Sequence, residues 1–279
     1  MSKFTHLHLH SHYSLLNALP QIPDLIKKTE KEGMTALAIT DNGNMYGAIE
    51  FYQKCKKANI KPIIGVDFYV ALRKRTDKEP GVDNHRTRLV LLAKNFLGYK
   101  NLIELVTISH FEGFYYKPRI DIELIEKYSK DLICISPSFS GDIAQAVKNK
   151  DFEKARELIA WYKKIYGEEN FFIEITHHPE IEGHEEKMKD LIKIARETKT
   201  EIVAAHDVYY LNPEDKKARD TLLSVQQNGD FSERSGFGKN EENFSFINGK
   251  VAEELFEDTP DAINNIEKIV NACNLELTL

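Results

Sequence analysis

Residues 5 to 20 read THLHLHSHYSLLNALP and place histidines at 6, 8, 10 and 12. In an extended strand, alternate residues point to one side, so this spacing would set four imidazoles in a row. Imidazole is a ligand for divalent metals, and carboxylates complete such sites. Further candidates follow other apolar runs. TDNGN supplies Asp41 and Asn42, GVDFYV supplies Asp67, FFIEITHH ends in His177 and His178, and HDVYY supplies His206 and Asp207. A lone HxH is a weak signal. HxH followed in order by TD, GVD and HD, each at the end of an apolar run, is a much stronger one. Carboxylates and imidazoles converging from separate runs are what a divalent-metal site requires.

The elements that must carry these residues alternate. Runs at 35–40, 60–71, 87–94, 131–136, 171–176 and 201–206 read as strands, and residues 5–10 make a seventh. Helical periodicity lies between them: IPDLIKKTEKEG with Gly33 as its stop, MYGAIEFYQKCKKAN, GYKNLIELVTISH, DFEKARELIAWYKKIYG with Gly167 as its stop, and HEEKMKDLIKIARETK. Strands alternating with helices predict mostly parallel β-structure, and seven strands favour a closed or nearly closed barrel. In such folds functional groups gather at the C-terminal ends of strands.

From about residue 213 the pattern changes. NPEDKKARDTLLSVQQ reads as a helix opened by Pro213. The polar, Gly-rich stretch QNGDFSERSGFGKNEENFSFING reads as an exposed loop, and VAEELFEDTPDAINNIEKIVNACNLELTL as two short helices with a strand-like end. We expect one domain over 1–279, with a barrel core over 1–212 and a C-terminal helical excursion over 213–279. From its apolar end, the chain is expected to be a piece of a longer protein.

Composition bounds the rest. The chain has 279 residues, 42% hydrophobic, with a net charge of −6. That balance argues against strong nucleic-acid binding by this segment alone. No membrane span or apolar signal region is visible, which predicts a cytoplasmic protein. Cys55, Cys134 and Cys273 contain no CxxC pair and are expected to be buried thiols. Arg73, Lys74 and Arg75 fall in a charged loop and are expected to face solvent. Trp161 is expected to pack on an amphipathic helix.

HLHLHSHYSLLN, ALAITDNGNMYGAIEFY, IKPIIGVDFYVA, LLAKNFLGYKNLIEL, EGFYYKPRID and HDVYYL resemble the PHP (polymerase and histidinol phosphatase) domain. The version at the N-terminus of bacterial replicative DNA polymerase III alpha subunits is the most similar, and the resemblance spans essentially the whole chain. It implies a distorted (β/α)7-type barrel whose mouth holds up to three divalent metals in intact members, with hydrolysis of phosphate esters as the activity. It also implies a polymerase body downstream as the partner of this segment, DNA reached through the full-length protein, and a proofreading exonuclease as a docking partner.

Against that pattern the chain departs at several ligand positions. His8 and His10 are kept, as is Asp207. Asn17 stands where the pattern has aspartate, Asn42 where it has histidine, and Asp67 where it has the longer glutamate. Arg88 and Ser138 replace further ligands, with His85 three residues too early to substitute, and Tyr209 replaces the last histidine. Amide, hydroxyl and phenol groups are poor substitutes for carboxylate or imidazole, and an arginine in the cavity repels a dication. The expectation is a vestigial centre in which Arg88 takes a metal's place and pairs with Asp67 or Asp207. The alternative that the resemblance implies is a metal-dependent phosphoesterase, a 3′–5′ exonuclease or a small-substrate phosphatase, with a reduced site. It would hold one divalent ion (Zn, Mn or Mg) at His8, His10 and Asp207, helped by His12, His178 or His206. Without metal, the histidines from 6 to 12 are expected to be hydrogen-bonded, non-ligand residues, and Asp41 is as well suited to capping a turn.

Overall fold

The computed structural model describes residues 4–226 and 242–278. Most of the stretch expected as a Gly-rich loop lies outside the described residues. Eight strands form one sheet: β1 (Ala36–Ile39), β2 (Lys61–Ala71), β3 (Arg86–Ala93), β4 (Phe114–Tyr115), β5 (Lys117–Ile120), β6 (Leu132–Ser136), β7 (Phe171–Ile175) and β8 (Glu201–Ala204). The sheet order is β4-β5-β2-β3-β6-β7-β8, with β1 also paired to β2. The long β2 serves two neighbours on one edge, β1 along its first half and β5 near its end.

Residues 5–10 do not form the expected strand, but they close the ring. On one side Ala38 N–H donates to His6 O and Thr40 N–H to Leu9 O; on the other His10 N–H donates to Val208 O. Leu9 and Val208 make a single parallel bridge. The ladder breaks for a local reason: the Leu9 N–H is taken by the Thr40 hydroxyl at 2.8 Å instead of by a carbonyl. The circuit β1–β2–β3–β6–β7–β8–Val208–(6–10)–β1 is therefore a seven-membered, distorted barrel.

The expectation of mostly parallel strands needs one correction. β3 runs antiparallel to both β2 and β6. Loop 72–85 accordingly returns the chain from the end of β2 to the same end of the barrel. Two Arg side chains expected to face solvent hold that loop. Arg73 donates to Asp83 at 3.0 Å, and Arg75 to Asp121 at 3.1 Å and Glu112 at 2.7 Å. Beneath it the fully buried Arg119 donates to four backbone carbonyls, those of Gly113, Asp83, Arg75 and Asp77. A guanidinium without water needs this many acceptors.

The helices are α1 (Ile22–Lys31), α2 (Ala48–Lys57), α3 (Phe96–Phe111), α4 (Ile122–Lys127), α5 (Asp142–Lys148), α6 (Phe152–Tyr166), α7 (His184–Glu197), α8 (Lys216–Gln226), α9 (Gly249–Leu255) and α10 (Pro260–Ala272). Their starts have chemical causes: Asn95 caps α3 by accepting from Leu97 and Gly98, Asp121 caps α4, and Asp151 caps α6. Gly167 ends α6 at φ +85°, a conformation side chains resist. The segment after 212 returns to the barrel, where Asn265 on α10 donates to Ile202 O in β8. The expected final strand does not form; Asn274 N–H donates to Lys94 O and Leu277 N–H to the Tyr52 hydroxyl. Cys55, Cys134 and Cys273 are buried and free, and burial raises each thiol's pKa. Among the described residues no helix is long and apolar enough to cross a membrane.

Candidate functional site

The barrel mouth collects side chains from seven segments. His8 and His10 come from the closing segment, Asp67 from β2, Arg88 from β3, Glu174 from β7, and Asp207 and Tyr209 from the chain after β8. Ser138 follows β6, and Asp41 and Asn42 follow β1. The antiparallel register explains how Arg88 enters. Tyr69 lies opposite Arg88 and Asp67 opposite Val90, so Asp67 and Arg88 share one face as diagonal neighbours. Arg88 thus reaches the site from near the start of its strand. The rule that functional groups sit at strand C-termini holds only for parallel strands.

At the centre, His10 Nε2 lies 2.9 Å from Asp207 Oδ1. His8 Nε2 lies 3.2 Å from Asp67 and 3.6 Å from Asp207, and its Nδ1 lies 2.7 Å from Glu174. All of these groups are buried. Arg88 Nε donates to Asp67 Oδ1 at 2.9 Å, and its Nη2 donates to both Asp67 Oδ2 and Asn42 Oδ1. The guanidinium also stacks 4.2 Å from the Tyr69 ring centroid. Tyr209 stacks on His10 at 4.4 Å.

Electrostatics follow from this wiring. Burial would raise the Asp67 carboxyl, but Arg88 and His8 outweigh it and hold its pKa at about 2. Burial likewise opposes ionisation of Asp207, and His8 and His10 keep it well below the usual carboxylate range. Desolvation lowers the His8 pKa, yet Asp207 and Glu174 lift it well above the ordinary value. His8 is therefore an imidazolium with an acceptor at each nitrogen. Two cations, Arg88 and His8, thus face three buried carboxylates, Asp67, Asp207 and Glu174.

The other sequence candidates divide. Asp41 does not reach the cluster; it accepts from Ser11 N–H at 2.7 Å, Ser11 Oγ at 2.7 Å and Ser14 Oγ at 2.6 Å, pinning the first turn as a capping residue would. Ser138 donates to Glu174 from its N–H and hydroxyl. The Asn17 side chain stays out of the cluster, while its carbonyl accepts from Arg219. His6 bonds to Ile247 O, away from the centre, and His12 packs on Tyr13 at 4.1 Å. The row of four imidazoles is thus only a pair. His178 stacks on His206 at 5.0 Å and bonds to Glu180. Of the histidines from 6 to 12 expected to be hydrogen-bonded, His6, His8 and His10 are, whereas His12 Nδ1 is buried without a partner among the described residues, as are one nitrogen each of His6, His178 and His206. Sequence reasoning missed Glu174. Its signal was a charged residue inside the apolar run FFIEIT, fully buried in the fold.

The donor set can be tested against a metal. His8, His10 and Asp207 each offer an atom within 4.8 Å of the others. Glu174 on His8 Nδ1 would fix the ring and its tautomer as an outer-shell carboxylate does. One divalent ion fits that trio. A cluster does not fit, because Asp67 is bound on both oxygens by Arg88, the Asn42 carbonyl faces the same guanidinium, and Ser138 is committed to Glu174.

Comparisons agree with this architecture. The chain is 40% identical to a DNA polymerase III subunit alpha of Borreliella burgdorferi over 98% of its own length, and 35% identical to that of Campylobacter jejuni over all of it. It spans 24% of the length of either relative. Among solved structures, a protein named as a metal-dependent phosphoesterase from Bifidobacterium adolescentis superposes with a TM-score of 0.50. The two share 9% identity, over 90% of this chain and 95% of that one. That likeness bears on the fold alone. The sequence model of the PHP domain matches residues 6–178, well over half of the chain, and the chain belongs to the PHP domain family.

Proposed function

We propose that the chain is the N-terminal PHP unit of a bacterial replicative DNA polymerase III alpha subunit. It takes part in DNA replication as a supporting and docking module, and its metal-type centre is closed by an internal ion-pair network. The whole of 1–279 belongs to this unit, with 213–279 leading toward a polymerase body. That body is the first partner, a proofreading exonuclease the second, and DNA is reached through the complete subunit in the cytoplasm. Polymerisation itself belongs to the rest of the subunit.

The observation that carries this reading is the Arg88 guanidinium, bound to Asp67 and Asn42. A fixed cation there satisfies the carboxylate that would bridge metals, and it repels a dication. A phosphoesterase reading rests on a different observation, the trio His8, His10 and Asp207. A metal bound there would polarise a phosphoryl oxygen and acidify a water. Hydrolysis of bis-p-nitrophenyl phosphate in excess manganese separates the two. The docking reading expects no turnover above that of His10→Ala; turnover abolished by His10→Ala would replace it with the second reading.

A further inference from the structure

Outside the central cluster, a second charged arrangement surrounds Tyr69. The β2–β3 register sets Tyr69 opposite Arg88 and Ala71 opposite Arg86, so Arg86 and Arg88 are alternate residues on one face of β3. β5 joins the other edge of β2 and begins at Lys117. Three cationic heads thereby converge on one ring: Arg88 Cζ at 4.2 Å from the Tyr69 centroid, Arg86 Cζ at 5.3 Å and Lys117 Nζ at 5.8 Å.

Arg88 is accounted for by Asp67. The other two are not. Arg86 donates to the backbone oxygen of Asn84 at 2.7 Å, and neither Arg86 nor Lys117 has a carboxylate partner among the described residues. Both side chains are half-buried. For both, burial lowers the pKa and the neighbouring Arg88 lowers it further. The ring faces offset part of this crowding through cation–π attraction, and the repulsion between like charges remains. An arginine fork beside a lysine point charge is the donor pair that phosphate oxygens fill best.

We propose that Arg86 and Lys117, seated on the Tyr69 ring beside Arg88, form a binding site for a phosphate group. The group is either free, as phosphate or pyrophosphate, or carried on a single-stranded nucleic acid. The site lies on the rim next to the buried cluster and does not use His8, His10 or Asp207. The mildly acidic net charge stands against broad nucleic-acid binding and is compatible with one local phosphate contact.

The test titrates the 279-residue chain with sodium pyrophosphate and, separately, with oligothymidylates of increasing length, by calorimetry at low ionic strength. Saturable binding of at least one probe is expected, with Arg86→Gln and Lys117→Gln each weakening it about tenfold. Pyrophosphate saturating alone identifies a small anion. Oligothymidylate binding that tightens with length and weakens with salt identifies a strand. Since Arg86→Gln touches a barrel strand, a thermal melt with and without probe accompanies it, and Lys117→Gln, at the strand's edge, must lose the ligand-induced shift on its own. No saturation by either probe, or wild-type binding by the Arg86→Gln/Lys117→Gln double variant, overturns the proposal.

Discussion

Arg88→Met removes the guanidinium while keeping most of the apolar stem, and its cost can be worked from two directions. The Arg88 and Asp67 side chains are 15% and 3% exposed, so solvent screens their attraction little. Asp67 has its pKa held at about 2 against an ordinary 3.8. That difference alone links to roughly 2.5 kcal/mol of stability above pH 4. Breaking a buried pair from one side costs about 3–5 kcal/mol, because the remaining charge stays buried without its partner. The variant should therefore lose about 3 kcal/mol in urea unfolding at pH 7. Asp67→Asn should lose a comparable amount by stranding Arg88. The double variant should lose less than the sum, by about 2 kcal/mol, since it strands neither charge. A cost below about 1 kcal/mol for Arg88→Met, together with additivity in the cycle, would refute the claim that this pair holds the site together.

Other outcomes follow from the same wiring. His6 and His184 are buried, and desolvation brings both pKa values down to about 4. Below about pH 6.5 the unfolded chain takes up protons that these rings refuse, so stability should fall by about 2 kcal/mol for each between pH 7 and pH 5. Urea unfolding at the two pH values checks this, and a His184→Gln variant that folds should show the shallower slope. His8 has a raised pKa; its contribution is complete below about 6.5 and declines only as pH rises through the folded value. Glu174→Gln should bring the His8 pKa down, read from its ring-proton shifts in an NMR titration; an unmoved titration would show that Glu174 does not support the imidazolium. Arg119→Met takes the side-chain donor from four carbonyls, of which Gly113 O keeps the Arg119 N–H, at about 1–3 kcal/mol for each one left without a donor that water cannot reach. Limited proteolysis should then cut within 72–85 well before the wild type does.

The legibility of this fold depended on what apolar patterns encode. β2, β3, β6, β7 and β8 appeared in the sequence because strands buried on both faces read as continuous runs such as RLVLLA. Such runs carry no direction, so the reversal of β3 was invisible although it decides how Arg88 enters. β4 and β5 are a two-residue and a four-residue strand, too short for any period. α4 and α5, of six and seven residues, escaped for the same reason. Residues 5–10 alternate like a strand, yet the Thr40 hydroxyl takes the hydrogen bond a ladder would need. At the site, the pairing of Arg88 with Asp67 could be anticipated because a buried guanidinium requires an anion nearby. Glu174 could not be placed, because which strand faces His8 Nδ1 is a property of the closed ring. His12 and Asn17 showed the limit of spacing: the chain turns after His10 and carries both away from the cluster.

The most direct measurement is the metal content of the chelator-stripped chain after dialysis against micromolar manganese or zinc, counted per protein molecule. The account predicts no more than one weakly held ion, lost in the His10→Ala variant, with Asp67 still bound to Arg88. Two or more ions retained stoichiometrically by the wild-type chain would contradict it.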